Sequence, residues 1–151
     1  MIKVQKNRGR YSNSLTGTYY PLNRKKFLGE SLPVFKSNLE RKFMLYADRN
    51  PNIIAVSYEG FHINYIDTTS SPPKPRKYYI DFILYVRTPT GTPRKIWVEV
   101  KMSKEVKKPT RSKNPMDMQI WPKNQCKWNA AIKLARQRGV DFKIITDKEL
   151  D

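Results

Sequence analysis

An acid two residues ahead of a lysine is the smallest unit in this chain that could do hydrolytic chemistry. It occurs four times, in Glu40-Arg41-Lys42, Glu99-Val100-Lys101, Glu105-Val106-Lys107 and Asp141-Phe142-Lys143. A sequence with 30 Lys and Arg produces that spacing freely, so context has to choose among them. In Ile96-Trp97-Val98-Glu99-Val100-Lys101 the unit lies in a strand, where alternation sets Trp97, Glu99 and Lys101 on one face and sends Val98 and Val100 into the core. Just upstream, Asp81 stands between Ile80 and Phe82, an acid whose burial is costly unless a cation or hydrogen bonds compensate. Joined as a hairpin, the two segments set Asp81 beside Glu99. Two carboxylates next to an amine suit Mg2+, with Mn2+ as a substitute, because such an ion takes hard oxygen ligands, keeps several waters and leaves room for a phosphate oxygen. Lys101 could then orient or deprotonate an attacking water, or offset charge growing on the phosphate. The same three side chains would also form an ordinary cross-strand salt-bridge network, and the hairpin alone does not separate the two readings.

The elements that must hold these residues follow from patterning. Leu39, Phe43, Tyr46 and Ala47 recur at helical spacing behind a capping Ser37, and Asn50-Pro51 stops the run, which predicts a helix over 37–49. Residues 53–58 and 61–66 read as a strand pair broken at Glu59-Gly60, and the prolines of Ser70–Pro75 mark an exposed connection. Lys77–Arg87 reads as one long strand, Pro89–Thr92 as a turn and Arg94–Met102 as the return strand. Lys104–Pro122 reads as a long lysine-rich loop. Trp128, Ala131, Ile132 and Ala135 mark a second helix over 124–138, closed by Gly139, before a last strand over 142–146. The expectation is one α/β domain of the α+β kind over residues 35–151. It follows a basic arm, residues 1–34, that orders only against DNA or another protein.

Charge narrows the partner. The net charge of +17 repels itself unless a polyanion compensates, and double-stranded DNA is the natural candidate, a solvated basic surface the bland one. Residues 1–42 hold ten basic side chains and residues 102–138 ten more, whereas 43–101 are nearly balanced. Lys104, Lys107, Lys108, Arg111 and Lys113 follow the acid–lysine strand directly, as phosphate contacts or as a connector of the same composition. With one cysteine, Cys126, and one histidine, His62, thiolate zinc sites and His-based triads are closed off. Absence of a long apolar run and of a signal segment after Met1–Arg10 leads to the expectation of a soluble cytoplasmic protein that uses no membrane.

Helix with an acid, antiparallel strands with Asp81 and then Glu99-x-Lys101, second helix and final strand together resemble the PD-(D/E)xK nuclease superfamily, and so the restriction-endonuclease-like fold. Ser37–Phe43, Asn50–Ala55 and Tyr58-Glu59 resemble TnsA-type transposon-end endonucleases, and more closely the head-completion nucleases of T-even-type bacteriophages. Lys127–Ala131, Leu134-Ala135, Arg138-Gly139 and Phe142–Thr146 agree with that likeness, which runs from about Phe35 to Asp147. The resemblance implies Asp81 and Glu99 as metal ligands with the Val100 carbonyl as a third, Lys101 as the catalytic lysine, and Glu40 supporting the site from above by holding a water at the metal. A surface pairing of Glu40 with Lys36 or Lys42 is the plainer alternative, and Glu59 occupies a family position without an assigned role. The proline that often precedes the aspartate in the family is Ile80 here. The resemblance further implies Mg2+-dependent trimming or cutting of DNA after packaging and before tail attachment. It would bring portal or neck proteins as partners, no small-molecule cofactor, and the host cytoplasm during assembly, or the virion, as location. A DNA-binding adaptor without turnover at the portal and a transposition endonuclease are the rival readings.

Overall fold

The computed structural model describes residues 4–6, 15–58, 60–109 and 115–150, with side chains from residue 16 onward and excluding those of 115–117. In chain order the elements are β1 (Val4–Lys6), β2 (Leu15–Thr18), a 3-10 turn (Arg24–Lys26), β3 (Phe27–Leu28), β4 (Val34–Phe35), α1 (Asn38–Arg49), β5 (Ile53–Ser57) and β6 (His62–Asp67). They continue with β7 (Lys74–Tyr79), β8 (Phe82–Val86), β9 (Arg94–Val100), α2 (Ser103–Val106), α3 (Pro115–Arg138), β10 (Asp141–Ile145) and α4 (Asp147–Leu150).

A five-stranded mixed sheet in the order β10-β9-β8-β5-β3 is the backbone of the fold. Strand β9 runs parallel to β10 and antiparallel to β8. Strand β9 alternates as its sequence requires, but both of its faces are covered. Ile96, Val98 and Val100 enter one core with Phe43, Met44 and Ala47 of α1, while Trp97 enters a second with Trp128, Ala131 and Ala135 of α3. This sandwich of helix, sheet and helix is the restriction-endonuclease-like arrangement that the sequence implied. Trp97, only 1% exposed, is therefore a packing residue. Among the described residues no helix is long and apolar enough to cross a membrane.

Four expectations change. Strands β5 and β6 do not form a hairpin: β5 joins the main sheet against β8, and β6 pairs with β7 in a separate two-stranded ribbon. The run over 77–87 is two strands, broken at Ile80-Asp81 where the chain passes from ribbon to main sheet. Helix α3 begins at Pro115 and contains Pro122, so the second part of the expected lysine-rich loop is helical, as are its first residues in α2. Proline is tolerated as a first helical residue because no N–H is needed there, whereas Pro122 forgoes one helical hydrogen bond. Finally, residues 15–34 order within the chain itself. Tyr19, Phe27 and Phe35 are buried in the α1-side core.

What fastens that segment is Asp48 near the end of α1, 1% exposed. Its carboxylate accepts from the Tyr19 hydroxyl at 2.7 Å, the Leu22 amide at 2.7 Å, and the Asn23 amide and Nδ2 at 3.1 Å each. Lys26 Nζ closes the turn by donating to the carbonyls of Asp48 at 3.2 Å and Asn50 at 2.6 Å. Burial pushes the Asp48 carboxyl up, but the donors from Tyr19, Leu22 and Asn23 outweigh it and hold the group below its ordinary range.

Candidate active site

Register brings the two acids together. Phe82 lies opposite Val98 across the antiparallel β8–β9 pair, so Asp81, one residue earlier, comes opposite Glu99, one residue later. Asp81 Oδ2 accepts from the Val100 amide at 2.9 Å. Glu99, 8% exposed, accepts from the Tyr78 hydroxyl at 2.5 Å. The two carboxyl groups are within hydrogen-bonding reach of each other.

Neither acid is comfortable there. Burial, joined by the Glu99 charge and opposed by the Val100 amide and Lys101, pushes the Asp81 carboxyl up to about 7. Burial raises Glu99 as well, against the Tyr78 hydroxyl and the charge of Lys101. Two crowded carboxyls side by side, Glu99 buried and Asp81 partly so, cannot both ionise cheaply. Lys101 follows β9, half-buried, and its amide donates to the Ile145 carbonyl at 3.0 Å, which ties the end of the strand to β10.

Glu40 reaches the same place from α1. Ser37 caps that helix by accepting from the Glu40 amide at 3.1 Å, and the Glu40 carboxylate turns back to accept from the Lys36 amide at 2.7 Å. Its partner is thus the Lys36 backbone. Burial pushes Glu40 up, the Asp81 charge adds to this, and the Lys36 amide and Lys101 oppose it. Glu40, Lys36, Asp81, Tyr58 and Tyr79 line a cavity of about 220 Å³.

Asp81, Glu99, Lys101 and Glu40 therefore converge. Lys104, Lys107 and Lys108 are exposed on and just beyond α2, and Lys108 lies over the Trp121 ring. Arg111, Lys113 and Glu59 lie outside the described residues. The sequence reading missed Tyr78 and Lys127. Tyr78 is buried, with its hydroxyl pushed up by burial and the Glu99 charge. An unbroken 77–87 strand would put Tyr78 on the face opposite Asp81, and the break at Ile80-Asp81 removes that objection. Lys127 sits half-buried in the apolar stripe of α3 with Asn124, Trp128 and Ala131. A lysine inside such a stripe was the available signal.

Among the described residues no three His, Cys, Asp or Glu side chains form a metal-holding group. The donor set still fits Mg2+, which commonly takes one or two carboxylates and completes its shell with water. The raised pair is the second mark of fit, since a cation would relieve the repulsion between the acids.

Residues 50–147, well over half of the chain, match the family model of the TnsA-like endonuclease N-terminal domain. The chain belongs to the TnsA-like endonuclease family. Its similarity extends beyond that segment: this TnsA-like endonuclease is 31% identical over 145 residues to the head completion nuclease of Enterobacteria phage T4, covering 89% of this chain and 93% of the relative. The Asp81–Glu99 pair and Lys101 all fall inside the matched segment.

Proposed function

We propose that this chain is a divalent-metal-dependent DNA endonuclease that serves phage head completion, cutting or trimming DNA after packaging and before the tail joins. The observation that carries the catalytic part is the juxtaposition of Asp81, partly buried, and Glu99, buried, mutually repelling and beside Lys101. Asp81 and Glu99 would hold Mg2+ or Mn2+, with the Val100 carbonyl as a third donor, and the ion would supply Lewis-acid polarisation of the phosphate and a lowered pKa for attacking water. Tyr78 fixes one Glu99 oxygen and the Val100 amide fixes one Asp81 oxygen, which aims the remaining lone pairs. Lys101 would orient the attacking water and offset charge on the non-bridging oxygens. Glu40, which lines the same cavity as Asp81, would accept from a water there. The two acids would hold the ion in their ionised forms, so affinity for it should rise with pH through about 7, the region where Asp81 titrates.

The setting in head completion is supported by the near full-length match to the T4 nuclease. Host cytoplasm, or the assembling particle, is the location that setting implies, with duplex DNA and portal or neck proteins as partners. The test is nicking of supercoiled DNA by purified protein with Mg2+ or Mn2+. Wild type should convert the plasmid to nicked or linear form and Asp81→Ala should leave it intact. Wild-type protein that leaves duplex DNA uncut with both ions would overturn the catalytic reading.

A further inference from the structure

We propose that Lys127 is a second phosphate-contacting lysine of this site, delivered by α3 on the Glu99 side and aimed at the backbone of the nucleic-acid substrate. The inference rests on the endonuclease reading and adds a residue to it. Trp128, Ala131 and Ala135 are buried against the sheet, which fixes the roll of α3 and leaves Lys127 facing the acids. Its Nζ lies 5.8 Å from the centroid of the Tyr78 ring, whose hydroxyl is bonded to Glu99. The ring face attracts the ammonium and holds it beside Glu99. Among the described residues, however, Lys127 makes no direct ion pair with either acid.

Burial pushes the Lys127 amine down, and the charges of Glu99 and Asp81 pull it back up. A cation half-removed from water without a close anion stands ready for one. Charge balance indicates which. Once a divalent ion neutralises Asp81 and Glu99, Lys101 and Lys127 outnumber the one remaining acid of the site, Glu40, an excess that suits a phosphodiester gaining negative charge.

Lys127→Met and Lys127→Arg, with Lys133→Met as an exposed control on the same helix, test the inference in two arms. With Ca2+ in place of Mg2+, Lys127→Met should bind duplex DNA about tenfold more weakly than wild type, Lys127→Arg and Lys133→Met within about twofold of it. With Mg2+ at saturating DNA, single-turnover cleavage by Lys127→Met should fall about 100-fold, with most of the loss recovered by Lys127→Arg. Lys127→Met behaving like Lys133→Met in both arms would overturn the proposal, as would equal losses in the Met and Arg variants, which mark a packing role. Should wild type bind DNA but cut none, the endonuclease reading fails, and the binding arm decides the role of Lys127 alone.

Discussion

Asp48 and Asp81 are both carboxylates drawn out of water, and the chain surrounds them in opposite ways. Asp48 collects hydroxyl, backbone and amide donors and is held below its ordinary range. Asp81 has one backbone donor, from Val100, and a second acid for a neighbour, and it is pushed up to about 7. Asp67, at the end of β6, resembles Asp48: Arg76 at 2.8 Å and the Thr69 amide at 3.0 Å satisfy it. A buried acid supplied with its donors belongs to the architecture. One left short of them has been kept at a cost of several kcal/mol, and catalytic and metal sites are where that cost recurs.

The contrast can be broken at either end. Asp48→Asn should cause the largest loss of stability, about 3 kcal/mol or roughly 10 °C in melting temperature, because it strands several buried donors. A melt unchanged by that substitution would remove Asp48 as the fastening of residues 19–26. Asp81→Asn should do the reverse and raise stability at pH 8 by about 2 kcal/mol while abolishing cleavage. The sign follows from the titration. Asp81 has a folded pKa above its unfolded one, so the folded state holds the extra proton and wild-type stability falls as pH rises from about 4 through about 7. Urea melts across that range should show this slope in wild type and its loss in Asp81→Asn. Next in size, Mg2+ at tenfold its dissociation constant should stabilise wild type by about 1.4 kcal/mol at pH 8 and Asp81→Asn by far less, read by thermal shift. Smallest, replacing Lys104, Lys107 and Lys108 together by Gln should leave the melt unmoved and lower the salt slope of duplex binding by about one per lysine. An unaltered slope would make that exposed cluster a connector.

What was legible in the sequence was whatever is specified locally. Ser37, the apolar spacing of Leu39, Phe43 and Ala47, and Asn50-Pro51 located α1 within a residue, and Gly139 at φ +66° ends α3 as its position suggested. The alternation of β9 and the nearby turn sufficed to place Glu99 against Asp81. Long-range choices were not legible. Residues 53–58 and 61–66 are each good strands, but nothing in either reveals that β6 prefers β7, beyond the proline-rich connection, to β5. Pro122 gave a misleading stop because packing of Trp128, Ala131 and Ala135 holds the rest of α3 regardless. Tyr78 escaped because its role depends on the break at Ile80-Asp81. The aromatic residues before Pro33 escaped because their spacing follows no helix or strand period, being set by the surface of α1 and β5.

That last feature bears on where the molecule may be cut. The stretch shared with TnsA-like endonucleases begins at residue 50, yet Phe27, Phe35, Phe43 and Met44 lie before it and are nearly inaccessible to solvent. A fragment excised at the start of the shared stretch would lose α1 and one whole side of its interior. The shared strands that carry Asp81 and Glu99 thus depend for their cover on a preceding stretch of chain, so the smallest self-standing unit has to reach back at least to Tyr19.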